Sequence, residues 1–247
     1  MDYLEALKLF KSSLLGGTEV GIIAETVNKH FSTKEFLSWL DVGIGDGYSL
    51  TKILKGIKPT CTLEITGVDP VLTTSDEAEK AFPDAELVAI DFEEYVTDQK
   101  FDVVNVRQSL YYLEDKELSL KKALSLVAPG GQLIVTNWAE QDIFCRLHTL
   151  LFPHSKENIT GEEIIKILRR NSPGEEIEVT RFEGTVDITS WRESEEMAEA
   201  ALTIISREAI TSGEMQKNRL TEFRNILASL NGIEPRINLV ICIKTSV

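Results

Sequence analysis

A chain of 247 residues, 43% of them hydrophobic, carries enough apolar material for one substantial core, and α/β folds of this size often form a single domain. Its formal net charge of -14, without any long Lys/Arg run, excludes the basic footprint that a phosphate backbone requires, so the expected partners are neutral or cationic small molecules and not nucleic acid. The amphipathic start "MDYLEALKLFKSS" lacks the regions of a signal peptide and no apolar run reaches membrane-spanning length; with three scattered cysteines (Cys61, Cys145, Cys242) lacking metal or redox spacing, this predicts a reduced, soluble, cytoplasmic protein with no membrane partner.

In chain order, "FLSWLDVG" (36–43), "LEITGVD" (63–69), "AELVAI" (85–90), "FDVVNVR" (101–107) and "GQLIVTNW" (131–138) are short, rich in β-branched or aromatic residues and mostly bounded by Gly, Pro or Asp, which predicts strands. Between them, "GYSLTKILKGI", "TTSDEAEKAF" and "DKELSLKKALSLV" have helical spacing, the last halted by "APGG". Such alternation implies a mainly parallel sheet with helices on both faces. The order then changes: helical stretches at 140–151 and 160–170, a strand "EIEVTRF" (176–182), a polar helical block from Ser194 to Leu230, and a final strand "NLVICIK" (238–244). A late strand after a helical insertion predicts a lid over the carboxyl edge of the sheet, where open α/β sheets bind ligands. The acidic run "RESEEMAEA" within the insertion is expected to be a solvated helix face.

The turn "LDVGIGDGYSL" sets Gly43, Gly45 and Gly47 at alternate positions between the first predicted strand and the first predicted helix. Such a turn lets backbone approach a ligand closely and directs free helix N–H groups at it. A dinucleotide fingerprint would need a small sixth residue where Tyr48 stands, and Asp46 inside the turn is a poor neighbour for a pyrophosphate. "GVDP" ends the second strand with Asp69, where a carboxylate can accept from the vicinal hydroxyls of a ribose, although a strand-end Asp before a turn-making Pro needs no ligand. "AIDF" ends the third strand with Asp91 and Phe92, an acceptor and an apolar face suited to adenine, although Asp91 equally suits a helix cap. Glycine turn, Asp69 and the Asp91–Phe92 pair fall at the ends of three successive strands and so converge.

"LDVGIGDG", "GVDP", "AIDF", "FDVVNVRQSLYYL" and "ALSLVAPGGQLIV" resemble the successive motifs of class I S-adenosylmethionine-dependent methyltransferases over about residues 36–138. The resemblance implies a Rossmann-like doubly wound α/β sheet, mostly parallel with a late antiparallel strand, and a helical lid insertion. It divides the single domain into an N-terminal helical cap (1–35), a cofactor-binding core (36–138), a lid and substrate region (139–236) and a final strand (237–247). It implies S-adenosylmethionine as cofactor, with Gly43, Gly45, Asp46 and Gly47 at its methionine end, Asp69 and Pro70 at the ribose, Asp91 and Phe92 at the adenine, and Arg107 backbone near the sulfonium. Asp46 then makes sense, because this cofactor carries an ammonium and a sulfonium and no phosphate.

Outside the shared core, "GGTEVGIIAETV", "RQSLYYLED", "LLFPHS", "VDITSW" and "INLVICIK" are similar, in that order, to the histamine N-methyltransferase family. That resemblance implies an acceptor site formed by Glu19, Gln108, Tyr112, Trp138, Phe152 and Asn238, of which Glu19, Gln108 and Tyr112 serve the transfer itself. The sequence departs from that family in its "GIGDG" turn, in Asp69 where the family has Glu, and in a shorter aromatic N-terminal segment. The expected activity is methyl transfer to a nitrogen of a small amine or imidazole metabolite by a monomer; the alternatives are an O- or C-methyltransferase and a non-catalytic cofactor-binding protein. Read from residues alone, Thr18 and Glu19 make a good helix start, with the hydroxyl capping and the acid complementing the helix dipole. Tyr111 and Tyr112 equally suit packing of the next helix, and Gln108 an ordinary strand end. His30, His148 and His154 share no spacing that predicts a metal site or dyad, so no metal is expected.

Overall fold

The computed structural model describes residues 3–15, 19–58, 61–73, 76–155, 158–206 and 213–246. Its strands are β1 (Leu14–Leu15), β2 (Phe36–Val42), β3 (Thr62–Val68), β4 (Glu86–Val88), β5 (Phe101–Arg107), β6 (Val127–Trp138), β7 (Glu176–Asp187) and β8 (Ile233–Lys244). They lie in the order β1-β7-β8-β6-β5-β2-β3-β4. β2 pairs in parallel with β3 and β5, β3 with β4 and β5 with β6, whereas β1 pairs antiparallel with β7. The expected α/β architecture with a mixed, mostly parallel sheet is therefore the observed one. Ten α-helices are described: α1 (Tyr3–Lys11), α2 (Val20–His30), α3 (Tyr48–Lys55), α4 (Glu77–Ala81), α5 (Lys116–Ser125), α6 (Ile143–Leu151), α7 (Gly161–Asn171), α8 (Thr189–Glu193), α9 (Glu195–Ser206) and α10 (Gly213–Ala228). No helix among the described residues is long and apolar enough to cross a membrane.

Two compact units emerge. The larger comprises Glu19–Asn137, Gly161–Arg181 and Leu239–Val247, the smaller Met1–Thr18, Trp138–Thr160 and Phe182–Asn238. In the larger unit, the apolar faces of α2 and α3 (Ile23, Ala24, Val27, Leu50, Ile53) pack with Trp39, Val103 and Ile134 of the parallel strands. β5 is buried along nearly its whole length, as expected of a strand covered on both faces. β6 begins earlier than "GQLIVTNW" implies, because the register between β5 and β6 jumps across a bulge at Phe101/Val103. Gly130, at φ 73, is the residue that accommodates the irregularity, so "APGG" ends a helix and also belongs to a strand.

In the smaller unit α1, α6, α8 and α10 all pack on α9. Glu195 and Glu196 keep the solvated face expected of the acidic run, yet from Ala198 onward α9 is the buried centre of this unit, with Ala200, Ala201, Leu202, Ile204 and Ile205 at 3% exposure or less. The Ser194–Leu230 block is thus core as much as polar surface. An aromatic cluster surrounds it: the Phe144 ring lies 5.0 Å from those of both Phe10 and Trp138, and Phe10 stacks on Trp191 at 5.7 Å. Asp142 ties two of its elements together. Its Oδ1 accepts from Phe144 N at 2.7 Å, capping α6, and its Oδ2 accepts from Ile237 N on β8 at 2.6 Å.

Candidate functional site

The turn after β2 is built as its glycines require. Gly43, Gly45 and Gly47 have φ of 80°, 57° and 73°, a region that strains any residue with a Cβ. Gly43 N donates to Val68 O at 2.8 Å, closing the turn onto β3. A Cβ at Gly43 would lie 2.3 Å from Ser109 Cβ, so here glycine is needed for a close approach as well. Ser109, which follows β5, secures that approach by donating from Oγ to Val42 O at 2.6 Å. At Gly45 the opposite holds: a Cβ would meet nothing within 4 Å, so the turn has an open face there.

Asp69 organises that face. Its Oδ2 accepts from Gly45 N at 2.8 Å and its Oδ1 from Val71 N at 2.9 Å, so one carboxylate joins the turn after β2 to the turn after β3. Each oxygen keeps capacity for a ligand hydroxyl. Burial pushes the Asp69 carboxyl above its ordinary range, the two N–H donors pull it back, and the charges of Asp91 and Asp46 push it up again. Asp69 thus feels the charges of two further carboxylates. Pro70 is exposed and opens a single 3-10 turn, Pro70–Thr73. Asp46 Oδ1 accepts from Tyr48 N at 3.1 Å, which gives the acid a local role at the start of α3. Asp91 is exposed; Phe92 is buried, with the Lys122 ammonium 4.9 Å from its ring centroid and bonded to its carbonyl at 2.6 Å.

Behind the turn lies a buried polar layer. Asp41 Oδ2 accepts from Trp39 Nε1 at 3.0 Å and from Asn105 Nδ2 at 2.8 Å. Burial raises the Asp41 carboxyl, against the pull of these bonds and of the Arg107 charge. Arg107 reaches in two directions from the end of β5: Nη2 lies 2.6 Å from Glu19 Oε1, and Nη1 donates to Ser49 Oγ at 2.8 Å. Glu19 sits just before α2, is 1% exposed and makes no side-chain capping bond, so its carboxylate answers to Arg107 and not to the helix end. The Thr18 hydroxyl cap lies outside the described residues. Gln108 has φ 52°, the one non-glycine residue among those described with positive φ, while its N–H donates to Thr136 O at 2.9 Å. Backbone strain of this kind concentrates at functional sites.

Glu19, Gly43, Gly45, Asp46, Gly47, Asp69, Pro70, Asp91, Phe92, Arg107, Gln108 and Tyr112 therefore all belong to the larger unit. Tyr112 is 39% exposed, its ring 4.6 Å from the buried Tyr111 ring. The other three expected residues belong to the smaller unit: Trp138 packs on Phe144, Phe152 lies 5.1 Å beneath the Arg219 guanidinium, and Asn238 is 2% exposed. Sequence reasoning missed Asp41, Asn105, Ser109 and Ser49. Asp41 and Asn105 carried a usable signal, a polar residue inside an otherwise apolar strand, whereas the serines carried none. Among the described residues no group of three or more His, Cys, Asp or Glu is placed to hold a metal ion.

A family model for a methyltransferase domain matches residues 20–201, which includes the glycine turn, Asp69, Asp91, Phe92, Arg107, Gln108 and Tyr112 but neither Glu19 nor Asn238. The chain belongs to the methyltransferase-domain family. This methyltransferase is similar to trans-aconitate 2-methyltransferase of Klebsiella pneumoniae, 31% identical over 115 residues that cover 45% of the chain and 42% of the relative. The chain thus spans about two fifths of the length of the curated relatives it matches. Its fold is similar to that of the YcgJ protein of Bacillus subtilis, with a TM-score of 0.63 at 14% identity over 93% of this chain and 98% of that one. It is also similar to the plantazolicin methyltransferase BpumL in complex with SAH, with a TM-score of 0.54 at 16% identity over 92% and 82%.

The cofactor of this methyltransferase is S-adenosylmethionine, and the residues present fit it. The open face at Gly45 gives backbone room for a close-lying ligand. The negative charge of Asp91 and Asp46 acting on Asp69 favours a positively charged occupant over a phosphate. Asp69 keeps acceptor capacity for hydroxyl groups of a ligand, whereas Phe92 is buried with Lys122 over its ring.

Proposed function

We propose that this protein methylates a small molecule at a nitrogen of an amine or imidazole-type metabolite. The observation that carries the reading is the buried Glu19 carboxylate, held at the end of β5 by Arg107, next in the chain to Gln108 and its strained backbone. The cofactor supplies a methyl group already activated by its sulfonium, so the chain itself has only to bind, orient and exclude water. Asp69 grips the ribose, and Gly43, Gly45 and Gly47 bring backbone against the methionine end. Glu19 anchors the cationic part of the acceptor, while Gln108, held by its strained backbone, orients the attacking nitrogen, with Tyr112 beside it. An imidazole nitrogen has a reference pKa of about 6.5 and is free to attack at neutral pH, whereas an aliphatic amine near about 10 stays protonated and suits the anchor.

A second reading has its own support. Arg107 is a guanidinium at the same place, and guanidinium forks match carboxylates. The curated relatives are named for trans-aconitate, an acid. O-methylation of a carboxylate is the reaction this would favour. Calorimetry with S-adenosylmethionine, followed by a panel of imidazole amines and unsaturated carboxylic acids with cofactor labelled in its methyl group, separates the outcomes. The expected result is tight cofactor binding and a labelled N-methyl product. A labelled ester moves the assignment to the second reading, binding without turnover over the whole panel leaves a cofactor-binding protein, and failure to bind overturns both.

A further inference from the structure

We propose that Lys122 is a positioning residue for the cofactor: with Glu93 it clamps the turn at 91–94 onto α5 and so sets Asp91 to receive the amino group of the adenine. The proposal rests on the reading, implied by the resemblance, that Asp91 takes the adenine, and it adds the residue through which that turn is held.

The stretch "DFEE" sets three exposed acids, Asp91, Glu93 and Glu94, along one short turn, where their charges repel. The turn is closed by Asp91 O, which accepts from Glu94 N at 3.0 Å and Tyr95 N at 3.2 Å, and by Phe92 O, which accepts from Tyr95 N at 3.2 Å. A single turn is too short to hold itself, because nucleation fixes several residues in return for few bonds. Its support comes from α5. Ser119 and Lys122 stand three residues apart and share a face of that helix. From there Lys122 Nζ donates to Phe92 O at 2.6 Å and to Glu93 O at 3.0 Å, while Ser119 Oγ donates to Glu93 Oε1 at 3.5 Å. The same Glu93 oxygen accepts from Glu114 N at 2.7 Å, which ties the turn to the segment that follows β5 and carries Gln108 and Tyr112. The Lys122 ammonium also lies 4.9 Å from the Phe92 ring centroid. With that ring 3% exposed and a cation over it, Asp91 is the member of the pair left open to a ligand, and its charge acts on Asp69. A carboxylate on a turn already ordered receives a donor without the ordering cost that a loose turn would exact on binding.

The test is Lys122→Met, which keeps an unbranched stem beside Phe92 and removes the ammonium, compared with Asp91→Ala and with the double variant. The probes are S-adenosylhomocysteine and the same compound without the amino group of its adenine, with affinities taken from calorimetry. Lys122→Met should weaken S-adenosylhomocysteine about five- to tenfold and the desamino compound less than about twofold, since the lost order bears on the bond to the amino group. In the Asp91→Ala background Lys122→Met should add nothing, because it acts through Asp91. Amide exchange at Glu94 and Tyr95 should quicken in Lys122→Met. Should the methionine variant not fold, Lys122→Gln, which keeps donors without the charge, is read in the same way and should show a smaller loss of the same kind. If both compounds lose affinity equally, if the losses of Lys122→Met and Asp91→Ala simply add, or if exchange at Glu94 and Tyr95 is unchanged, Lys122 is structural and the proposal falls. If Asp91→Ala leaves the preference for the amino compound intact, the adenine reading itself fails and the proposal with it, while exchange still decides whether Lys122 holds the turn.

Discussion

Asp69 and Asp142 are two aspartates that do the same thing with different consequences. Each uses one oxygen on a nearby backbone N–H (Val71 or Phe144) and the other on an N–H far along the chain (Gly45 or Ile237). Burial raises both carboxyl groups, Asp142 to about 7. Asp69, however, is half-buried at an open glycine face with two further acids acting on it, whereas Asp142 is sealed, with Arg236 the charge that helps to hold it down. The same bridging of a near and a distant N–H, to which Asp142 adds a bond from the Cys145 N–H, thus makes a ligand grip where there is an outlet and repelling charge, and a fold staple where there is neither.

The widest separation between the two should come from alanine. Asp142→Ala takes the acceptor from the backbone N–H groups of Phe144, Cys145 and Ile237 in a sealed region, at about 1 to 3 kcal/mol each, so chemical denaturation should show a loss of about 3 kcal/mol or more. Asp69→Ala, with water available to its partners, should lose far less; equal losses would erase the contrast. Next in size is Gly43→Ala, where a φ of 80° and a Cβ 2.3 Å from that of Ser109 combine strain with overlap. About 2 to 4 kcal/mol is expected to appear in stability and cofactor affinity together, and Ser109→Gly should recover the overlap part only. For the ligand grip, Asp69→Ala should weaken S-adenosylmethionine binding by about 1 to 3 kcal/mol in calorimetry, and unchanged affinity would make Asp69 a staple as well.

The last effect is a slope. The folded-state pKa of Asp142, about 7, stands above the ordinary 3.8, so between those values the fold binds a proton that the unfolded chain does not. Its contribution to stability is full at the acid end and is lost as pH rises through about 7, by at most about 1.4 kcal/mol per pH unit. Stability of the unaltered protein measured relative to Asp142→Asn should therefore fall from pH 5 to pH 8. A flat difference would mean that the carboxylate remains ionised inside the unit.

Much of the larger unit was legible in the sequence because its signals are local. Short apolar runs placed β2, β3, β4 and β5 within a residue or two, the first three followed by Gly or Asp, and alternate glycines placed the turn. What stayed hidden depends on chain separation. Nothing near Glu19 says that Arg107, 88 residues on, will take its carboxylate away from the helix end, and Asp142 reads as a helix cap without any hint of Ile237. β1 is two residues long and exists through its pairing with β7, so no periodicity could reveal it. α9 misled for a related reason: its acidic start dominates the pattern, while the alanines that let four helices approach it look neutral.

The bond from Gly45 to Asp69 also bears on how a ligand is received. A glycine-rich segment is the costliest kind of backbone to order, since it has the most conformations to lose. Asp69 removes that freedom at Gly45 before any ligand arrives, so the ordering cost is charged to folding and binding is relieved of it. In the ligand-free protein the Gly45 amide should already exchange slowly with deuterated solvent, marking the turn as a preorganised receptor whose selectivity comes from rigidity.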